Sequence, residues 1–458
     1  MTKQFDALVV GSGTAGQTVA HRLKSSGLKT ALVEHRERPG GTCALRGCQA
    51  KKWFYEGAQA VALSRHLSGI GIDSPARASW LQLRDAKNRF TAKVPSDTID
   101  GLEKAGIDFI RGRARFVGPR DLTVDGRPFS ARYIVLATGA VPMTLPIDGA
   151  EHMVSSSQFM ELPHLPSRIV FIGGGFISFE FAHFAARLGS ANTRCTILEA
   201  GSRPLGPFDE EMVDLLIEAS RAEGIDVHRD VEITAIAQAE GAFVVEAKGG
   251  ERFQADLVVH GAGRSANIDD LDLERAGIQF TKKGIGVTDR MATTNEHVYA
   301  VGDCAATVQL ARVADAEARV AAADIADRTQ GGGRESRMDY AAVPSVLFTY
   351  PQVGMVGATE RELEENDVRY KKSFGDHLTW STYRRVGLTS AAYKILVGEN
   401  GELLGAHVIS DSSTGLISIF KLAMVNRISI ETLYRQSVMT PYPSRESDLI
   451  SMLEPLID

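Results

Sequence analysis

Two cysteines five residues apart, Cys43 and Cys48, lie in the stretch Gly40-Gly41-Thr42-Cys43-Ala44-Leu45-Arg46-Gly47-Cys48-Gln49-Ala50-Lys51-Lys52. Two thiols this close in sequence can carry electrons by making and breaking one S–S bond. On an ideal α-helix, residues i and i+5 have Cα atoms roughly 8–9 Å apart. A disulfide rarely tolerates more than about 7 Å. A Cys43–Cys48 bond therefore requires an irregular turn, and Gly40, Gly41 and Gly47 permit one. Two unrelated buried thiols are the bland alternative. That reading leaves unexplained why the pair sits between a glycine-rich motif and a lysine-bearing helix start. Lys51 follows Cys48 by three residues, so a helix beginning near Cys48 puts thiol and ammonium on one face. Lys52 reads as a solvated surface lysine, and 53–67 continues as an amphipathic helix.

The elements that must position this pair are read from the flanking sequence. Asp6-Ala7-Leu8-Val9-Val10 has the apolar run of a buried strand, followed by Gly11-Ser12-Gly13-Thr14-Ala15-Gly16, a helix-like run to Leu23, and a second strand, 30–33, ending at Glu34. This is a dinucleotide-binding βαβ fingerprint. Gly11 makes the tight turn, Gly13 lets backbone approach a pyrophosphate, and Gly16 lets helix and strand pack closely. Glu34, 18 residues after Gly16, stands where a carboxylate takes ribose hydroxyls. A second unit begins at Arg168-Ile169-Val170-Phe171-Ile172, runs through Gly173-Gly174-Gly175-Phe176-Ile177-Ser178, and ends its second strand, 195–198, at Glu199. Ser178 replaces the last glycine and is small enough to keep the packing. Glu199 favours a ribose 2′-hydroxyl over a 2′-phosphate, hence NADH over NADPH, with Arg203 close by.

Bulk properties narrow the class. A chain of 458 residues is too long for one core and suggests about three domains. A net charge of −6 argues against a nucleic-acid footprint. No apolar run reaches the roughly 18–20 residues that span a bilayer, and the N-terminal residues have no secretory pattern. Four cysteines do not make a secreted disulfide scaffold, so a cytoplasmic location is expected. Gln330-Gly331-Gly332-Gly333-Arg334-Glu335-Ser336 reads as a linker.

Gly41-Thr42-Cys43, four residues, then Cys48 and Lys51 resemble the active-site segment of the flavin-dependent pyridine nucleotide–disulfide oxidoreductases, the family of glutathione reductase, dihydrolipoamide dehydrogenase and mercuric reductase. The resemblance runs through the whole chain. Ile134-Val135-Leu136-Ala137-Thr138-Gly139 resembles the exit from the flavin domain. Gly261-Ala262-Gly263-Arg264 resembles the return crossing from the nicotinamide domain. Val298-Tyr299-Ala300-Val301-Gly302-Asp303 resembles the segment whose aspartate binds the ribitol of FAD. Residues 346–360 resemble the start of a dimerisation domain, followed by antiparallel strands over 372–407, a turn at Glu399-Asn400-Gly401-Glu402, and a helix over 414–426.

The resemblance implies an α/β fold with two Rossmann-like dinucleotide-binding domains, for FAD and NAD, plus a C-terminal α+β dimerisation domain. The boundaries expected are 1–147 and 267–336 for FAD, 148–266 for the nicotinamide and 337–458 for dimerisation of a homodimer. The first fingerprint, with Gly41, Thr42, Thr138, Gly139, Gly263, Arg264, Gly302 and Asp303, would then serve FAD. Gly173, Gly175, Phe176, Ser178 and Glu199 would serve NADH or NADPH, with Phe176 covering the flavin. Cys48 would be the charge-transfer thiol beside the flavin and Cys43 the interchange thiol. Lys51 would pair with Glu180. Without the family, Glu180 reads as a first-turn helix acid, Phe176 as a core aromatic, and Cys195 and Cys304 as buried structural thiols.

The pattern breaks near the C-terminus. Reductases of small disulfides and of lipoamide carry a histidine there, followed by proline and a glutamate, as acid–base for thiol exchange. Here the segment is Met439-Thr440-Pro441-Tyr442-Pro443-Ser444-Arg445-Glu446, and no histidine follows His407. Thr440 or Tyr442 takes the slot and neither titrates near neutrality; Glu446 is the candidate surviving acid. Glutathione and lipoamide are therefore not expected as substrates. The expected acceptor is an unidentified small-molecule or protein disulfide. The alternatives are a soft metal ion such as mercuric ion, a quinone, or no acceptor at all in a redox-responsive switch that binds a partner. No resident metal, nucleic acid or membrane is expected.

Overall fold

A computed structural model describes residues 3–239, 241–331 and 336–457. Residues 332–335 of the expected linker lie outside them. The chain forms two compact units. Met1–Lys52, Asp85–Met143 and Gly263–Asp339 make the first; Trp53–Arg84, Thr144–Ala262 and Tyr340–Asp458 make the second.

The first unit is organised on strand Lys3–Val10, buried from Ala7 to Val10 as a strand covered on both faces must be. It pairs in parallel with Thr30–Glu34 and with Arg127–Leu136, Leu8 standing opposite Ala31 and Ile134. Asp108–Arg111 and Val298–Ala300 extend the parallel sheet on either side, while Asp121–Val124 and Ala114–Phe116 continue it antiparallel. Helix Thr14–Ser25 buries Ala15, Gly16, Val19, Ala20 and Leu23, the stripe a 3.6-residue period dictates. Thr18 donates to Asp315 of helix Ala311–Gln330.

The second unit holds a four-stranded parallel sheet in the order Ile225–His228, Arg194–Leu198, Arg168–Ile172, Leu257–His260. A three-stranded antiparallel sheet lies in the same unit. So does a five-stranded antiparallel sheet in the order Ser345–Leu347, Gln352–Gly357, Leu403–Ser410, Ala392–Gly398, Tyr370–Gly375. The hairpin at 399–402 and helix Ser413–Val425 stand where the sequence puts them. One buried charge has no counterpart in sequence reasoning. Lys394 is 1 % exposed, and its Nζ lies 2.8 Å from Asp209, 2.5 Å from Glu211 and 2.8 Å from Glu360. Burial alone would raise the Glu360 pKa. Hydrogen bonds from Lys372, Lys394 and Tyr370 outweigh it and hold the carboxyl down to about 2.

The two glycine loops solve one packing problem with different residues. In the first, Gly11 has φ +113°, and a Cβ on Gly16 would stand 1.9 Å from the Gly11 carbonyl oxygen. In the second, Gly173 has φ +95°, and the Ser178 hydroxyl donates to the Gly173 carbonyl. The close approach has become a hydrogen bond. Room for it comes from Gly261, where a Cβ would meet Ser178 Oγ at 1.9 Å. Ala137 holds the matching place after the strand of the first unit, opposite Gly16. The pairs Gly16/Ala137 and Ser178/Gly261 share the same volume differently, so Ser178 is a compensated change.

That exchange sets an expected outcome. Gly261→Ala should destabilise by about 1–3 kcal/mol through overpacking, and adding Ser178→Gly should restore most of the loss, read by chemical denaturation. Lys394→Ala leaves the buried Asp209 carboxylate without its cation and should cost about 3–5 kcal/mol. For Glu360 the folded pKa lies below the ordinary 4.5, so its contribution is present above that value and fades as pH falls toward about 2. The stability gap between wild type and Glu360→Gln should close over the same interval in acid denaturation.

Candidate active site: a dithiol on the first glycine loop

The irregular turn the cysteines require is present. Helix Gly41–Arg46 ends at Gly47, whose backbone (φ −129°, ψ −127°) is not helical, and a new helix, Cys48–His66, starts at once. A Cβ on Gly47 would stand 2.9 Å from the Thr42 carbonyl oxygen, so only glycine closes the break. Both cysteines are thiols, Cys43 half-buried and Cys48 exposed. Cys43 shares a hydrogen bond with Cys48, which together with burial and negative charge on Cys48 pushes the Cys43 thiol far up. The Thr14 hydroxyl and the Gln49 N–H beside the Cys43 sulfur act the other way. Thr14 opens the helix of the first glycine loop, a contact the sequence pattern did not mark.

This segment is fastened to the glycine loop by backbone. Gly41 has φ +76°, and a Cβ there would stand 2.3 Å from Gly13 Cα. The Gly40 N–H donates to Ser12 Oγ at 2.9 Å, and Ser12 Oγ donates to Glu34 at 2.6 Å. Lys51 occupies the first turn of the cysteine helix. Lys52 corrects an expectation: the residue is half-buried and its Nζ is buried rather than facing water.

Both acids that end the second strands are pinned alike. Glu34 accepts from the N–H of Ser12 at 3.1 Å and of Arg36 at 2.8 Å. Glu199 accepts from Gly174 at 2.6 Å and Gly201 at 2.7 Å. Each carboxylate thus grips the middle residue of its own loop and the residue two places beyond itself. The helices that follow have Gly13 and Gly175 as N-caps with no side-chain cap bond, leaving first-turn N–H groups to meet phosphate. The nearest atom to a Cβ on Gly13 is 3.7 Å away, so the front of the loop is open. These are the features an FAD diphosphate and a nicotinamide dinucleotide require, and the residues fit both groups.

The remaining expected residues group within each unit. In the first, Asn267 donates its backbone N–H to Gly139 and its side-chain amide to Thr138. Met143 donates to the Gly263 carbonyl, and Arg264 donates to the Ala140 carbonyl. The Gly302 N–H donates to Glu317 at 2.6 Å, a fully buried acid that no spacing rule points to. Burial raises the Asp303 carboxyl, and Arg264 opposes that. Cys195 and Cys304 are buried, as expected. In the second unit Phe176 is 49 % exposed, which removes it from the core. Glu180 is buried and accepts from the Phe348 N–H at 3.0 Å. Lys51 and Glu180 belong to different units. Near the C-terminus Tyr442 is 84 % exposed, Thr440 donates to the Ser437 carbonyl, and Glu446 is packed where a Cβ on Gly415 would be. Arg445 grips Asp411 through two nitrogens and lies over the Tyr383 ring.

No helix among the described residues is long and apolar enough to cross a membrane. No group of three or more His, Cys, Asp or Glu among them could hold a metal ion. Residues 5–318 match the family model described as pyridine nucleotide-disulphide oxidoreductase, and 343–448 match the dimerisation domain of the same family. The chain is 32% identical to a glutathione reductase of Burkholderia cepacia over 432 residues, covering 92% of this chain and 93% of that one. It is 29% identical to a mercuric reductase of Staphylococcus aureus, covering 94% and 78%. Among solved structures it is similar to the Cu(II) complex of the HOCl-induced flavoprotein disulfide reductase RclA from Escherichia coli, with a TM-score of 0.88, 26% identity and full coverage of both chains. The chain belongs to the pyridine nucleotide-disulphide oxidoreductases, enzymes that work with FAD and NAD(P)H.

Proposed function

We propose that the chain is a homodimeric, cytoplasmic reductase that takes electrons from NADH and delivers them through Cys43 and Cys48 to a disulfide other than glutathione or lipoamide. One observation carries the reading: two hydrogen-bonded thiols on a broken helix whose first residue lies against the first glycine loop. Gly11, Gly13, Gly16, Glu34, Gly41, Thr42, Thr138, Gly139, Gly263, Arg264, Gly302 and Asp303 would hold FAD. Gly173, Gly175, Phe176, Ser178 and Glu199 would hold the nicotinamide dinucleotide. The proposed domains are 1–147 with 267–336, 148–266 and 337–458.

Bound FAD would supply the two-electron relay from nicotinamide to sulfur. The chain's own residues do the rest. The Cys43–Cys48 disulfide takes up two electrons and two protons to give the dithiol described above. Cys43, as thiolate, attacks one sulfur of the acceptor; that S–S bond breaks and the far sulfur leaves as a thiolate. Cys48 then attacks Cys43 Sγ, expels the second acceptor thiolate, and restores the Cys43–Cys48 bond. The Thr14 hydroxyl and the Gln49 N–H favour negative charge on Cys43 against the burial and the Cys48 bond that oppose it, and Lys51 would favour it on Cys48. Glu446 and Tyr442 are the residues offered in place of the absent histidine.

A soft metal ion is the second reading. Cys48 is exposed, thiolates suit soft ions, and the relatives include a mercuric reductase and a copper complex.

Steady-state NADH oxidation separates these readings. Oxidised glutathione and lipoamide should turn over at least about 100-fold below rates typical of good enzymes, on the order of 10–1000 per second. Brisk lipoamide turnover would overturn the substrate assignment, and a preference for mercuric or cupric ions over every disulfide would select the second reading. Cys48→Ser should abolish disulfide reduction, a loss of about 10³-fold or more. NADH-driven reduction of a dye such as ferricyanide should persist, because it bypasses the sulfurs. Retained disulfide turnover in that variant would exclude the dithiol route.

A further inference from the structure

The helix that follows the second glycine loop, Phe176–Leu188, is buried at every position from Ser178 onward. A helix covered all round is expected to be apolar. Apart from Ser178, this one carries Glu180, His183 and Arg187, spaced three and four residues apart and so on one stripe. The family resemblance pairs Glu180 with Lys51. His183 and Arg187, 1 % and 3 % exposed, have no part in the chemistry above. Their hydrogen bonds run in one direction. A guanidinium cannot accept, so Arg187 Nη1 donates to His183 Nδ1, 2.7 Å away. His183 is therefore neutral with its proton on Nε2, which donates to Ser220 at 2.9 Å, and Ser220 donates to the Leu216 carbonyl at 2.7 Å. Arg187 Nη2 lies 2.7 Å from the Tyr350 carbonyl oxygen and 3.1 Å from Glu223.

Glu180 and Arg187 thus grip one segment from one helix. Glu180 accepts from the Phe348 N–H at 3.0 Å, and Arg187 donates to the carbonyl of Tyr350. The two grips are roughly 10 Å apart along the helix axis. The same segment reaches the helix of Cys48. Tyr55 of helix Cys48–His66 sets its ring against the Phe348 ring, centroids 5.3 Å apart, and its hydroxyl accepts from Gln352 at 2.6 Å. His66, the last residue of that helix, has its ring 5.4 Å from the Tyr350 ring. Arg65 stands 3.7 Å from Glu223, the carboxylate Arg187 also holds. Residues 348–352 are a splint between the helix of Glu180 and the helix of Cys48, and all of these contacts lie within the second unit.

We propose that Arg187 is a positioning residue for Glu180: by holding the Tyr350 carbonyl it fixes segment 348–352, and the Phe348 N–H of that segment holds the Glu180 carboxylate in register with the helix of Cys48. The planar fork of arginine suits the task, because it meets His183, the Tyr350 carbonyl and Glu223 at once. A lysine ammonium is a single point and lacks that spread. The inference rests on Glu180 serving the reduction of flavin and dithiol, as the family resemblance implies.

Two measurements on the purified holoenzyme test it. Hydrogen–deuterium exchange reads the segment directly: Arg187→Ala should speed exchange of the Phe348 amide by about tenfold or more, while the amides of the Gly173–Gly175 loop keep their rates. Anaerobic reduction of the flavin by NADH reads the consequence. Glu180→Gln and Arg187→Ala should each slow the rate at saturating NADH by about tenfold or more, with the half-saturating NADH concentration unchanged. The double variant should be no slower than Glu180→Gln alone, since Arg187 acts through Glu180. Arg187→Lys should fall between, and it takes the place of Arg187→Ala in the same cycle if the alanine variant does not fold. An unchanged Phe348 amide, or slowing that multiplies in the double variant, would overturn the role of Arg187. Unimpaired flavin reduction in Glu180→Gln would instead overturn the part assigned to Glu180, and the inference with it.

Discussion

The contact between Gly41 and Gly13 is the constraint on which the rest of the site depends. It is backbone against backbone, with no space for a side chain on Gly41. The turn at Gly11, the uncapped helix behind Gly13 and the broken helix at Gly47 become a single site only because that contact is possible. Move Gly41 outward by the width of a methyl group and Cys43 loses the Thr14 hydroxyl, while Ser12 loses the Gly40 N–H. Glycine is required here for close approach as well as for its positive φ. The cysteines are placed by main chain, which is stiffer than any arrangement of long side chains.

The two nucleotide units show how a shared geometry survives different residues. The acid-to-loop grip is the same in both, down to which N–H groups are held. The helix-to-strand contact is not. One unit leaves a bare carbonyl facing a glycine, and the other fills the gap with a serine hydroxyl and empties the opposite wall at Gly261. Serine at position 178 therefore keeps the close approach and satisfies the Gly173 carbonyl as well. Close packing demands that total volume and polar satisfaction be kept, not the identity of any one residue.

Much of this could be read from the chain because glycine geometry is local. A strand, a glycine triplet, a helix and a terminal acid follow one another within about thirty residues, and each choice is forced by its neighbours. The break between the cysteines was legible for the same reason. Glu317 and Lys394 were not. Glu317 reads as an ordinary helix acid until Gly302 is brought to it. Lys394 sits in a strand whose carboxylate partners come from distant segments, and no periodicity records such a meeting. Lys52 misled because its exposure depends on which face of the helix is covered, which the local pattern left open. Long-range pairing of charged groups is written in the tertiary fold and leaves little trace in spacing.

The doubled grip of Glu34 and Glu199 has a bearing on cost. A loop rich in glycine has many conformations to lose, and a ligand that had to freeze it would surrender affinity in doing so. Here the carboxylates have frozen it beforehand, using hydrogen bonds internal to the chain. An arriving dinucleotide meets a receptor that is already shaped, so its own binding free energy goes into holding the cofactor rather than into ordering the protein.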